Sequence, residues 1–141
     1  MKKMILFSTC LLFALQGCKK TDPEMALTGI HNVSINHSSY GPDGISGTKS
    51  FSETYEGTIE ISPLNKGIHV VIKSSRENKI ERGLDIKNVN NDVIQYTSTS
   101  NEPGKPPPIM EYVPGTGNFS FSRSVYAGHR QSDTWVVSGK L

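Results

Sequence analysis

The sequence predicts an all-β protein: a small antiparallel β-sandwich or barrel of about seven strands behind a cleaved N-terminal signal peptide. Three observations lead there. Beyond residue 17 the chain holds nine Val and eleven Ile but only four Leu and two Ala, and stiff β-branched side chains favour strands over helices. The same stretch holds twelve Gly, eight Pro and nine Asn, enough chain-breaking residues to cut any long helix into turns. Apolar residues then recur with period two, the spacing that puts them on one face of a strand.

In chain order, Leu27–Tyr40 is the first expected strand. Phe51, Tyr55, Ile59 and Ile61 fall on one face of the next, with Glu56, Thr58 and Glu60 opposite. The run Ser62–Gly67 is a turn, and Ile68, Val70 and Ile72 repeat the alternation, so Phe51–Ser74 is an expected hairpin. Leu84 and Ile86 follow, then a turn at Asn88–Asp92, then Ile94 and Tyr96. The proline-stiffened stretch Asn101–Val113 reads as a loop. Phe119, Phe121 and Val125 alternate in the sixth strand, and Trp135, Val137 and Leu141 share a face of the last, which predicts Trp135 in the core. No helix longer than a turn or two is expected behind the signal.

The N-terminus carries the most specific signal. Lys2 and Lys3 precede the apolar run Met4–Leu15. Twelve helical residues rise only about 18 Å, against a bilayer core of about 30 Å, so the run suits an export signal rather than a membrane span. It ends in Leu15-Gln16-Gly17-Cys18. This resembles the lipobox of bacterial lipoproteins: an aliphatic residue, two small residues and the cysteine that takes a diacylglyceryl group. Leu15, Gly17 and Cys18 match, while Gln16 stands where a small residue is usual. The resemblance covers about twenty residues and implies cleavage between Gly17 and Cys18, lipidation of Cys18, and membrane attachment through its acyl chains. Cys10 lies inside the signal, so no pair of cysteines remains for a disulfide. The expected organisation is a signal peptide over 1–17, a lipidated cysteine and polar tether over 18–26, and a single β domain over 27–141. By the same resemblance, Lys19 directly after the cysteine favours the outer membrane, and leaves the periplasmic and surface faces both open.

Charge excludes one class of partner. Removing Lys2 and Lys3 leaves 13 basic and 13 acidic side chains, a balance that gives no reason to expect nucleic acid. Candidate catalytic patterns are weak. Ser46-Gly47-Thr48-Lys49 fits S-x-x-K, but that chemistry needs Ser and Lys one helical turn apart, and here they lie among glycines before a strand. His31 and His37 share a strand face about 20 Å apart, too far to chelate one ion. His69 and His129 complete the set, and neither a metal nor a cofactor is expected. Glu53, Glu56, Glu60, Glu81 and Glu111 are the carboxylates that strands might bring face to face for glycoside chemistry.

Two stretches compete for a partner. Lys73–Arg82, with four basic and two acidic residues, reads first as a solvated hairpin tip whose charges partly cancel, and otherwise as a holder of an anionic glycan or lipid headgroup. The loop Asn101–Val113 reads first as a connector. Its prolines lower the entropy lost on ordering, so partner contact, where it exists, is expected at Pro106, Pro107, Pro108 and Tyr112 rather than at the charged tip. The leading expectation is therefore a small lipid-anchored cell-envelope protein with a binding or structural role and no catalytic set. The alternatives are an anchored inhibitor of an envelope-attacking hydrolase and a carboxylate-based enzyme acting on envelope glycans.

Overall fold

The computed structural model describes residues 23–42, 48–76, 79–99, 105–126 and 131–141. A five-residue helix, α1 (Pro23–Leu27), leads into nine strands. These are β1 (Gly29–Pro42), β2 (Thr48–Leu64), β3 (Gly67–Ser74), β4 (Ile80–Leu84), β5 (Ile86–Asn90), β6 (Val93–Thr97), β7 (Ile109–Val113), β8 (Asn118–Tyr126) and β9 (Ser132–Lys140). All neighbouring pairs are antiparallel, in the order β4-β3-β2-β1-β9-β8-β7-β6-β5. The first and last strands pair with each other, so the meander curls round on itself. Its two edges, β4 and β5, are consecutive in the chain and separated only by Asp85. The result is one sheet nearly closed into a barrel.

Nine strands replace the expected seven for two local reasons. The Leu84–Ile86 segment is broken at Asp85, where the chain leaves its pairing with β3 and takes up pairing with β6. The second reason is β7: the proline loop stops at Pro108, and Ile109–Val113 is a strand paired on both sides. The turn expected over Asn88–Asp92 is confined to Asn91 and Asp92, with Asn91 at φ 52°, a left-handed conformation that asparagine tolerates. Helix α1 takes in residues 23–26, which the sequence assigns to the tether. It places Leu27 against the core at 1% exposure.

The inward row of each strand follows the period-two pattern. Val33 and Ile35, Ile59 and Ile61, Ile68, Val70 and Ile72, Ile94 and Tyr96, and Phe119 and Phe121 are all buried in one cluster. Gly139 faces Phe119 across the β8–β9 ladder. A Cβ there would lie 2.5 Å from the ring, so the glycine makes room for the aromatic side chain. Strand β5 contributes nothing to the core, since all five of its residues are exposed. The meander gives the barrel two ends. The lower end carries α1 and the β2–β3, β5–β6 and β7–β8 turns, and β1, β3, β6 and β8 all run from it towards the upper end.

Across the open seam, the Asp85 carboxylate accepts a 2.8 Å hydrogen bond from the Thr99 amide and another from its hydroxyl. These bonds hold the Asp85 pKa below its ordinary 3.8. A carboxylate with a depressed folded pKa adds stability that is complete above the unfolded value and is lost as pH falls through the folded one. Asp85→Asn should therefore lower the urea midpoint at neutral pH. The gap from the parent protein should narrow as pH drops below about 4. A gap independent of pH would show that the charge on Asp85 does not tie the seam.

Candidate functional site

The alternation that fills the core also delivers polar groups to the barrel's upper end. In β1 the inward series Val33, Ile35 continues to His37; in β8, Phe119, Phe121 continues to Arg123; in β4, Arg82 sits between buried Ile80 and Leu84. Register then sets Arg123 beside Trp135, Trp135 beside His37, and His37 beside Glu53, a row across β8, β9, β1 and β2. The Trp135 and His37 rings stack at 4.7 Å with 6° between planes. The Arg123 guanidinium lies 5.8 Å from the Trp135 ring centroid, within range of cation–π attraction. His37 Nε2 is 3.5 Å from Asp133 Oδ1. On the far side Glu53 pairs with Arg76, which lies over the Tyr55 ring at 5.8 Å.

Arg82 and Arg123 meet again in a cavity of about 250 Å³. Its wall is formed by Arg82 of β4, Ser98, Lys105 and Pro106–Pro108 between β6 and β7, and Arg123, Ser124 and Val125 of β8. It spans the seam from the β4 edge to the β6–β8 side. Among the described residues, three cationic side chains and two hydroxyls line it, and no carboxylate does. Three consecutive prolines supply no backbone N–H, so donors come from side chains. Two other cavities of similar size lack this character. One is lined by serines with Tyr40 and Phe51, and the other, at the lower end, includes both Asp85 and Lys87.

The structure redistributes the residues singled out in the sequence. Pro106, Pro107 and Pro108 line the basic cavity. Tyr112 does not: it is 3% exposed, packed inside the barrel, because β7 begins at Ile109 and its alternation turns Met110 and Tyr112 inward. It offers no aromatic surface to a partner. The loop and the charged tip are not competitors, since Arg82 from the tip and Lys105–Pro108 from the loop share one wall. Trp135 is half-buried against the core rather than within it, and Leu141 is exposed. Gly17, Cys18, Ser46 and His129 lie outside the described residues.

The histidines and carboxylates are engaged separately. His31 Nε2 lies 2.9 Å from the Leu27 carbonyl oxygen, and His69 pairs with Glu81 at 3.0 Å. Lys79, 2.6 Å from Glu81, is the main cause of that carboxylate's lowered pKa. Glu60 pairs with Lys73 at 3.4 Å, and Glu111 accepts a 3.0 Å hydrogen bond from Gln95. Among the described residues no group of three or more His, Cys, Asp or Glu could hold a metal ion, and no helix is long and apolar enough to cross a membrane.

Arg123 went unmarked in the sequence, although a signal was present. The alternation Phe119, Phe121, Val125 skips one inward position, and that position holds an arginine. A basic residue in the inward register of an amphipathic strand either snorkels to the barrel's end or lines a site. Compared with known proteins, the chain matches no family model, no curated protein and no solved structure.

Proposed function

We propose that this chain is a small lipid-anchored protein of the bacterial cell envelope. In this reading its β domain is a binding module, not an enzyme, and presents the upper end of the barrel to its partner. The anchor is Cys18, exposed by cleavage after Gly17, and Lys19 favours the outer membrane. One observation carries the binding reading: the basic cavity lies at the barrel's upper end, while α1 enters at the lower end. A tether attached below Pro23 thus leaves the cavity facing away from the membrane that holds the lipid. Acylation fits the arrangement, since two or three chains give durable attachment without a spanning helix.

The test is a cross-linking pull-down from the protein's own membranes, with three versions of the chain. The parent protein should incorporate labelled fatty acid and recover a partner. Cys18→Ser should take up no label and leave the membrane fraction. Replacing Glu102–Pro108 with a Gly-Ser linker of equal length should preserve anchoring and lower partner recovery. Equal labelling of the Cys18→Ser protein would refute the anchor. Undiminished recovery with the linker would refute the upper end as the binding face.

A further inference from the structure

We infer that the lower end of the barrel rests on the lipid bilayer, with its exposed aliphatic side chains entering the boundary between headgroups and acyl chains. The inference depends on the lipid anchor at Cys18 and adds a contact that the domain itself makes. The distribution of apolar surface is the first argument. Single exposed apolar side chains are ordinary on a soluble domain; a gathering of them marks an interaction surface. Among the described residues ten large hydrophobic side chains are exposed. Met25 of α1, Ile30 near the start of β1, Leu64 at the end of β2, Ile86 and Val89 of β5, and Leu141 after β9 all lie at the lower end. Tyr40, Phe51 and Tyr126 lie towards the upper end, and Val136 on the flank. The aliphatic surface is gathered where the tether joins the domain, and the aromatic surface at the opposite end.

Local packing is the second argument. Leu84 is 0% exposed and pairs with Ile68, whereas Ile86 is 41% exposed and Val89 59%. Since β5 places no residue in the core, packing within the domain does not account for its apolar side chains. Leu64 and Lys66 share a cavity of about 260 Å³ with Thr28, Asp85 and Lys87. That cavity sets the end of α1, the β2–β3 turn and the start of β5 side by side, so the apolar residues form one surface. Lys66 near Leu64 and Lys140 beside Leu141 are both exposed. A lysine at a membrane boundary lays its stem along apolar surface and keeps its ammonium group among the headgroups.

Reach is the third argument, and it selects the bilayer as the occupant. Four residues, Lys19 to Asp22, separate Cys18 from α1. Fully extended, the chain from Cys18 to Pro23 covers about 17 Å. An acylated Cys18 therefore holds the helix, and the lower end with it, within that distance of the membrane surface. So short a linker confers a high effective concentration, at which modest apolar contacts hold the domain down. The chain brings no protein partner to this end in the same way.

Acylation blocks the Cys18 thiol and cleavage removes Cys10, so the mature chain has no other thiol and one introduced cysteine can carry a nitroxide. Met25→Cys, Val89→Cys and, at the upper end, Tyr126→Cys would be labelled in the acylated protein and reconstituted into phosphatidylcholine vesicles. Collisions are then measured with oxygen, which concentrates among acyl chains, and with a nickel chelate, which stays in water. The oxygen-to-nickel ratio should be at least about threefold higher for the two lower labels than for the upper one, as apolar groups seated about 5–10 Å into the boundary require. Adding Ile30→Asp and Ile86→Asp to the Val89→Cys chain should bring its ratio down towards the upper value, with an unchanged far-ultraviolet circular dichroism spectrum. Equal ratios at all three labels in acylated protein, or an undiminished ratio in the folded aspartate variant, would overturn the bilayer contact and leave the anchor standing. Lower labels shielded from both reagents would mean that a second copy or another protein covers this end, and would overturn it as well. A chain that takes up no fatty acid would overturn the anchor and the contact together.

Discussion

Gly67→Ala should cost about 4 kcal/mol or more, among the largest effects a single substitution produces. Gly67 opens β3 at φ 140°, a region that side chains other than hydrogen rarely adopt. Steric room is the larger problem. A Cβ there would sit 1.9 Å from the Leu84 carbonyl oxygen and 2.9 Å from its carbon. Both are backbone atoms and cannot rotate aside. Leu84 is the residue before Asp85, where the chain changes pairing from β3 to β6, so the alanine would push on the joint that nearly closes the barrel. Domains of this size carry only about 5–15 kcal/mol in total. Urea denaturation should show a midpoint lowered by a large fraction of its parent value. Gly115→Ala is the control, because a Cβ there meets nothing within 4 Å. Similar losses in both variants would show that the approach to Leu84 is not what makes Gly67 necessary.

Phe121→Ala should cost about 3–5 kcal/mol, the range for emptying a buried aromatic site. Phe121 is 0% exposed and sits opposite Val137 on β9 and Met110 on β7, both fully buried. It occupies the level of the barrel just below Arg123, so its ring is the floor on which the polar upper end rests. Val136→Ala, on the outward face of the same sheet at 42% exposure, should change stability by no more than about 0.5 kcal/mol. The pair of denaturation curves separates inward from outward register directly. A loss below about 1 kcal/mol for Phe121→Ala would mean that the barrel collapses around the gap. Trp135→Ala should fall well short of a buried aromatic's cost, because the ring is only half-buried.

How much was legible in advance varies by element, and the reason is physical in each case. The β2–β3 hairpin, with Ile59, Ile61, Ile68, Val70 and Ile72 inward, was legible because its alternation is long and its turn is marked by Pro, Asn and Gly. Strand β7 was not, because Ile109–Val113 is short and follows three prolines that dominate any local reading. The break at Asp85 was not either. Nothing local separates Leu84 from Ile86; what parts them is a change of partner strand, and partners are chosen by the closing of the whole sheet.

The candidate site divides the same way. Local residue chemistry determined the all-β class and the inward rows. These depend on side-chain shape, hydrophobicity and spacing within a few residues. Only the tertiary structure decided that Arg82, Lys105 and Arg123 meet, and that Tyr112 turns into the core instead of outward. Alternation determines which face a residue occupies, but not its height along the barrel or the neighbour it finds across the seam. Those follow from register and closure. They place a tip residue, a loop and an unremarked arginine around one cavity.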